Sequence, residues 1–310
     1  MPDTFLSGAG PLVLDGGLAT ELEARGLDLS GPLWSARLLA DDPGAIAAAH
    51  VAFFRDGANV ATTASYQASF TGFAACGIGR GETVRLLRRS VALARSARDV
   101  LPDDRRRWVA ASVGPYGAAR ADGSEYRGRY GLTVAELADW HRPRLEVLAS
   151  AGADVLALET IPDVDEASAL VAALDGLTVP AWLSYSISGT RTRAGQPLEE
   201  AFAVAASAAQ VVAVGVNGCD PADVGPALAV AREVVGKPVI VYPNSGEGWD
   251  AVGRRWTGRP RFSAASAARW VNEGAAAVGG CCRVGPADIA AVARVLRGAA
   301  EANGPHDQPH

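Results

Sequence analysis

Residues 11–26 read PLVLDGGLATELEARG. The run Leu12–Leu14 is short and wholly apolar, as in a strand buried on both faces. Asp15, Gly16 and Gly17 follow at once, and then an amphipathic stretch that reads as helix. Strand, turn and helix open both large α/β architectures, and the turn separates them. An open doubly wound sheet carries a glycine fingerprint after its first strand, whose backbone cradles a phosphate. Here Asp15 stands at that point and would repel a phosphate. A second glycine-rich stretch, GIGRGE from residue 77, follows no strand and has the wrong spacing. The turn therefore points to a (β/α)8 barrel.

The rest of the chain keeps the same rhythm. Further strands are expected in ANVATT from 58, RWVAASV from 107, ADVLALE from 153 and PAWLSYS from 180. QVVAVGVN from 210, KPVIVYPN from 237 and AAAVGG from 275 complete a set of eight. Amphipathic stretches such as GETVRLLRRSVALARSARDVL (81–101) lie between them. Eight strand–helix pairs in 310 residues predict a single TIM barrel with parallel strands. It is expected to span residues 1–302, with 303–310, NGPHDQPH, as a disordered tail.

Composition narrows the function. Hydrophobic residues make up 49% and charged residues 20%, a soluble globular balance. The net charge is -5 and no long basic run occurs, which argues against nucleic acid as a partner. Arg105–Arg107 reads as a solvated turn. No segment reaches the ~18 to 20 continuous apolar residues that span a membrane. The first residues lack the charged and apolar regions of a secretory signal. Four cysteines are too few for a disulfide scaffold, so a cytoplasmic location is expected.

In such a barrel, chemistry belongs at the C-terminal ends of the strands. The out-of-place polar residues fall there: Asp15, then Thr62, Thr63, Ser65, Tyr66 and Gln67, then Glu159, Asn217 and Asn244. Three of the four cysteines do too: Cys219 after the sixth strand, Cys281 and Cys282 after the eighth. Three thiolates with a fourth position open are a catalytic zinc arrangement. Adjacent strand residues point to opposite faces, so a turn must begin at the pair for both sulfurs to converge. A redox dithiol or plain packing is the competing reading of the same cysteines. Cys76 is expected as a small buried hydrophobe, and His50 and His141 as surface or packing residues.

The segments LDGGLATELEARG, TTASYQAS, SVGPYGA, ETIPD, GVN, YPNSGE and GGCCRVGP, in that order, resemble the signature segments of the homocysteine S-methyltransferases. The likeness covers residues 12 to 300. It implies a (β/α)8 barrel that binds zinc through three cysteines and uses the metal to ionise the homocysteine thiol. By motif, Cys281 and Cys282 are the paired zinc ligands. Asp15 and Glu159 hold the homocysteine amino group, and Asn217, Asn244 and Tyr66 line the pocket. The expected product is methionine. The donor is expected to be S-methylmethionine or S-adenosylmethionine, with Trp34, Tyr116 and Tyr126 facing its cation; betaine fits less well. A monomer or small homo-oligomer is expected.

One position departs from the family pattern. The first zinc cysteine should follow the asparagine directly, but the chain reads Val216-Asn217-Gly218-Cys219. Either Cys219 takes over as ligand, or a thiolate is lost. In the second case the chain is a catalytically impaired barrel that binds thiols or metal.

Overall fold

In a computed structural model of the chain, eight parallel strands form one sheet. The structure describes all residues except 1–4, 9, 32, 251–254 and 303–310. The tail expected at 303–310 lies outside the described residues. The strands are β1 (Leu12–Val13), β2 (Val60–Thr62), β3 (Trp108–Val113) and β4 (Val155–Ile161). They continue with β5 (Ala181–Tyr185), β6 (Val211–Asn217), β7 (Val239–Tyr242) and β8 (Ala275–Val278). Each lies inside the stretch that the sequence marked, apart from the last residues of β4. Each strand pairs with its neighbour in chain order, and β8 pairs with β1. A Leu14–Val60 bridge joins β1 to β2. The Asp15 amide donates to the Val60 carbonyl at 2.9 Å, so the ring closes just below the future site.

The main helix after each strand is α1 (Pro43–Arg55), α2 (Arg80–Asp99), α3 (Val134–Ala149), α4 (Val164–Ala173), α5 (Leu198–Ala203), α6 (Val224–Val234), α7 (Ala264–Asn272) and α8 (Pro286–Ala302), and shorter helices at Leu18–Ala24, Leu38–Asp41, Phe70–Ala75 and Tyr116–Arg120 lie in the first three connections. Several start where side chains satisfy free backbone amides. Asp42, Asp163 and Ser263 cap α1, α4 and α7, and Thr133 with Glu136 forms a capping box on α3.

The period of two along the strands divides the core into two layers. Val13, Ala61, Val109, Leu156, Leu183 and Val214 face outward and pack under the helices. Leu14, Val60, Ala110, Ala157, Ala213 and Ile240 face the barrel axis, together with Trp182 and Tyr242. Small alanines on several strands leave room for the Trp182 indole, and Phe5 stacks on it at 5.7 Å. Phe5 also meets Trp108 edge-on at 6.1 Å. The interior is thus filled by packing, as in a barrel core rather than a pore.

Some expectations change. Cys76 is exposed, because its helix ends at Ala75 and the residue falls in the surface turn. His50 and His141 are both fully buried, so only the packing half of that expectation holds. Arg107 is also buried, where it pairs with Asp103 at 2.6 Å instead of meeting solvent. Two small hairpins escaped the sequence reading: Ile187–Ser188 with Arg191–Thr192, and Gly248–Asp250 with Arg255–Thr257.

Candidate active site

A cavity of about 130 Å³ opens at the C-terminal ends of the strands. Its walls include Gly16 and Gly17 after β1, Thr62 at the end of β2 with Thr63, Ala64, Tyr66 and Gln67 after it, and Ser112 on β3. Glu159 and Thr160 on β4, Asn217 on β6, Tyr242 on β7, and Cys281 and Cys282 after β8 complete the ring. A glycine is required at Gly17, where a Cβ would stand 2.6 Å from the Cys281 carbonyl oxygen. The first and last loops can therefore touch only because no side chain intervenes.

The floor is a buried carboxylate. Glu159 accepts from the Ser112 hydroxyl and, at 3.1 Å, from the Tyr242 hydroxyl, which in turn accepts from the Trp182 indole N–H at 2.9 Å. Burial pushes the Glu159 carboxyl up to about 7, against the pull of those two hydrogen bonds. Asp15 stands behind the wall and is 3% exposed. Its oxygens accept from the Thr62 amide at 2.7 Å and the Thr62 hydroxyl at 2.5 Å. Burial raises Asp15 to about 8, and the neighbouring Glu159 charge adds to the rise. Two acids that both resist ionisation form a receptor for a cation, because a positive group supplies the missing countercharge.

Asn217 lines the cavity but its side chain is fully engaged. Its Oδ1 accepts from the Thr160 amide and the Ser184 hydroxyl, both at 2.8 Å, and its Nδ2 donates to the Thr160 hydroxyl at 2.7 Å. Thr160 needs this clamp, because its φ is 60°, a left-handed conformation costly for a β-branched residue. Asn244 is not part of the wall. It braces it: Nδ2 donates to the Gly218 carbonyl at 2.9 Å and Oδ1 accepts from the Cys282 amide at 3.1 Å. Tyr66 lines the cavity, as do Trp34 and Tyr126, while Tyr116 instead packs against Tyr130 and Trp140. The sequence reading missed Ser112, Tyr242 and Glu125. Ser112 and Tyr242 had a legible signal, since each is a polar group near the end of an otherwise apolar strand.

The three cysteines are not brought together. Cys281 and Cys282 line the cavity, and the Cys281 thiol hydrogen-bonds Cys282, which favours the thiolate on Cys282 and disfavours it on Cys281. Cys219 is fully buried in the apolar layer under the helices. Gly218 turns the chain with φ 60°, and a Cβ there would meet nothing nearer than Thr160 Cγ2 at 3.6 Å. Position 218 thus faces a cavity residue and has space for a side chain, whereas position 219 packs into the core. Among the described residues no three His, Cys, Asp or Glu side chains cluster so as to hold a metal ion. A three-thiolate zinc centre does not fit this donor set, which offers the cavity two sulfurs.

The family model described as homocysteine S-methyltransferase matches residues 12–296. The chain belongs to the homocysteine S-methyltransferase family. Homocysteine S-methyltransferase 4 of Zea mays is 44% identical over 308 residues, covering 93% of this chain and 90% of the maize protein. Homocysteine S-methyltransferase of Escherichia coli is 44% identical over 290 residues, covering 91% and 94%. The fold also superposes on the crystal structure of the metallated form of the Escherichia coli homocysteine methyltransferase MmuM. The TM-score is 0.85 at 41% identity, with 94% of this chain and 98% of that one covered. Family membership accounts for the barrel.

Proposed function

We propose that the chain transfers a methyl group from S-methylmethionine to homocysteine, forming methionine. The observation that carries the reading is the pairing of buried acids with the cysteine pair in one cavity of a homocysteine S-methyltransferase barrel. Glu159, backed by Asp15, would take the homocysteine ammonium through charge-assisted hydrogen bonds. Placed so, the short side chain directs its sulfur toward Cys281 and Cys282. The thiol gives up its proton, which is released to solvent as a product of the reaction, and the sulfur forms a bond to the donor methyl carbon. The methyl–sulfonium bond breaks with its electron pair retained by the donor sulfur, so the donor leaves as a neutral thioether. The chain's share is positioning two substrates in line and excluding water from the reacting atoms. A cytoplasmic enzyme acting as a monomer or small homo-oligomer is part of the same proposal.

A second reading rests on Gly218: a barrel of the same family that binds thiols or metal but transfers methyl groups poorly. One assay separates the two. Purified protein is given homocysteine with S-methylmethionine, S-adenosylmethionine or betaine, with and without added zinc, and methionine is quantified. Methionine formed fastest from S-methylmethionine is expected. No methionine from either sulfonium donor, in protein that still binds homocysteine, would establish the impaired reading.

A further inference from the structure

Glu125 has no role in the acceptor half of the cavity, yet it stands in the cavity wall. It is 8% exposed, and its Oε2 has no hydrogen-bond partner. It sits in the short turn Ser124–Tyr126, pressed so closely on the helix Tyr116–Arg120 that a Cβ on Gly117 would come within 2.4 Å of the Glu125 amide. Burial, with nearby Asp122 adding to it, holds its carboxyl above the ordinary glutamate range. A buried carboxylate oxygen left without a partner carries a desolvation cost that a ligand would relieve.

Its neighbours indicate which ligand. Trp34 and Tyr126 line the same cavity and are among the exposed large hydrophobic side chains, at 42% and 41%. Trp34 is held at φ 45°, a left-handed conformation that a tryptophan adopts only at a cost. Tyr126 follows Glu125 in the same turn and lies within electrostatic reach of Cys281 and Cys282. Aromatic faces beside an acid are a receptor for a bulky, weakly hydrated cation.

We propose that Glu125, with Trp34 and Tyr126, forms the donor subsite and binds the sulfonium of S-methylmethionine, the more weakly hydrated of its two cationic groups. The cavity then holds two separate acidic poles: Glu159 on the floor for the acceptor ammonium, and Glu125 on the wall for the donor. Both substrates are amino acids, and two poles allow both to be held at once with their sulfurs facing each other. This assignment rests on the methyl-transfer reading above.

Calorimetric titration with each ligand separately tests it without requiring turnover. Glu125→Gln is expected to weaken S-methylmethionine binding by about tenfold or more, the loss of one charge-assisted contact. Homocysteine binding should stay within about twofold and also serves as the check on folding. If Glu125→Gln does not fold, Glu125→Asp, which keeps the charge but withdraws it by one methylene, should weaken S-methylmethionine binding alone. Unchanged S-methylmethionine binding, or equal loss for both ligands, overturns the role of Glu125. Wild-type protein that binds homocysteine but not S-methylmethionine overturns the donor reading itself, and the subsite with it.

Discussion

At residue scale the decisive position is 218. Two outcomes were open in the sequence: a shifted ligand at Cys219, or a lost thiolate. The burial of Cys219 in the outer core layer favours loss. Cys219→Ala is therefore expected to leave zinc affinity unchanged while lowering stability by about 1 to 2 kcal/mol, as for a small cavity in a packed core. Gly218→Cys should raise zinc affinity, since a Cβ there would meet only Thr160 Cγ2, at a comfortable 3.6 Å. Part of the gain will be offset by about 1 to 2 kcal/mol for holding a non-glycine residue at a left-handed φ. Zinc titration of the two variants checks both statements, and tight zinc binding that vanishes in Cys219→Ala would reverse the conclusion. Sequence reasoning located the cysteines correctly by strand but could not say which way Cys219 points. A single left-handed glycine decides that, and its φ is set by the hydrogen bond from Asn244 to its carbonyl and by the packing around it, not by local composition.

At the scale of elements, the strands were legible because burial on both faces leaves near-continuous apolar runs that no other element needs. The loops were not. The resemblance set Tyr126 at the donor cation, but the wall contributed by Glu125 and Tyr126 depends on a turn packed against a neighbouring helix, and the sequence carried no sign of Glu125's place in it. The approach to β7 shows what a single residue can tie together. Lys237, the one lysine of the chain, donates to the carbonyls of Ala205, Ala208 and Val211, each at 2.7 Å. Its three protons thus hold the segment after α5 and the start of β6 against β7. Lys237→Met preserves the stem but strands three carbonyls. It should cost about 2 kcal/mol in denaturant unfolding, with no change in homocysteine affinity, because the tie lies at the opposite end of the strands from the cavity.

At the scale of the whole molecule, the acids that form the site also shape its stability. Asp15 and Glu159 at the site, and Glu166 outside the cavity wall against His141, are raised from 3.8, 4.5 and 4.5 to about 8, 7 and 7 by burial. The folded chain therefore holds protons that the unfolded chain releases. Their stabilising contribution is complete below the unfolded values and is lost as pH rises through the folded ones. His50, lowered by burial to about 4, acts in the opposite sense but only below about 6.5. Between pH 6.5 and 8.5 the ligand-free melting temperature should fall, and Glu159→Gln should flatten the slope. Homocysteine should blunt it too, since its ammonium favours the ionised acids. A melting temperature that rises across this range would show that the site acids are ionised in the empty cavity.

The barrel axis carries one further consequence. Phe5 stacks on Trp182, the Trp182 indole donates to Tyr242, and Tyr242 donates to Glu159. That line runs from the closed end of the barrel to the cavity floor, and every member of it is buried. An enclosed indole is also a chromophore, and its emission responds to the local electric field. Glu159 gains or loses its charge two hydrogen bonds away. The fold has thus placed a native fluorophore in contact with its own binding event, so that occupancy of the acceptor pole can be followed by light without a label.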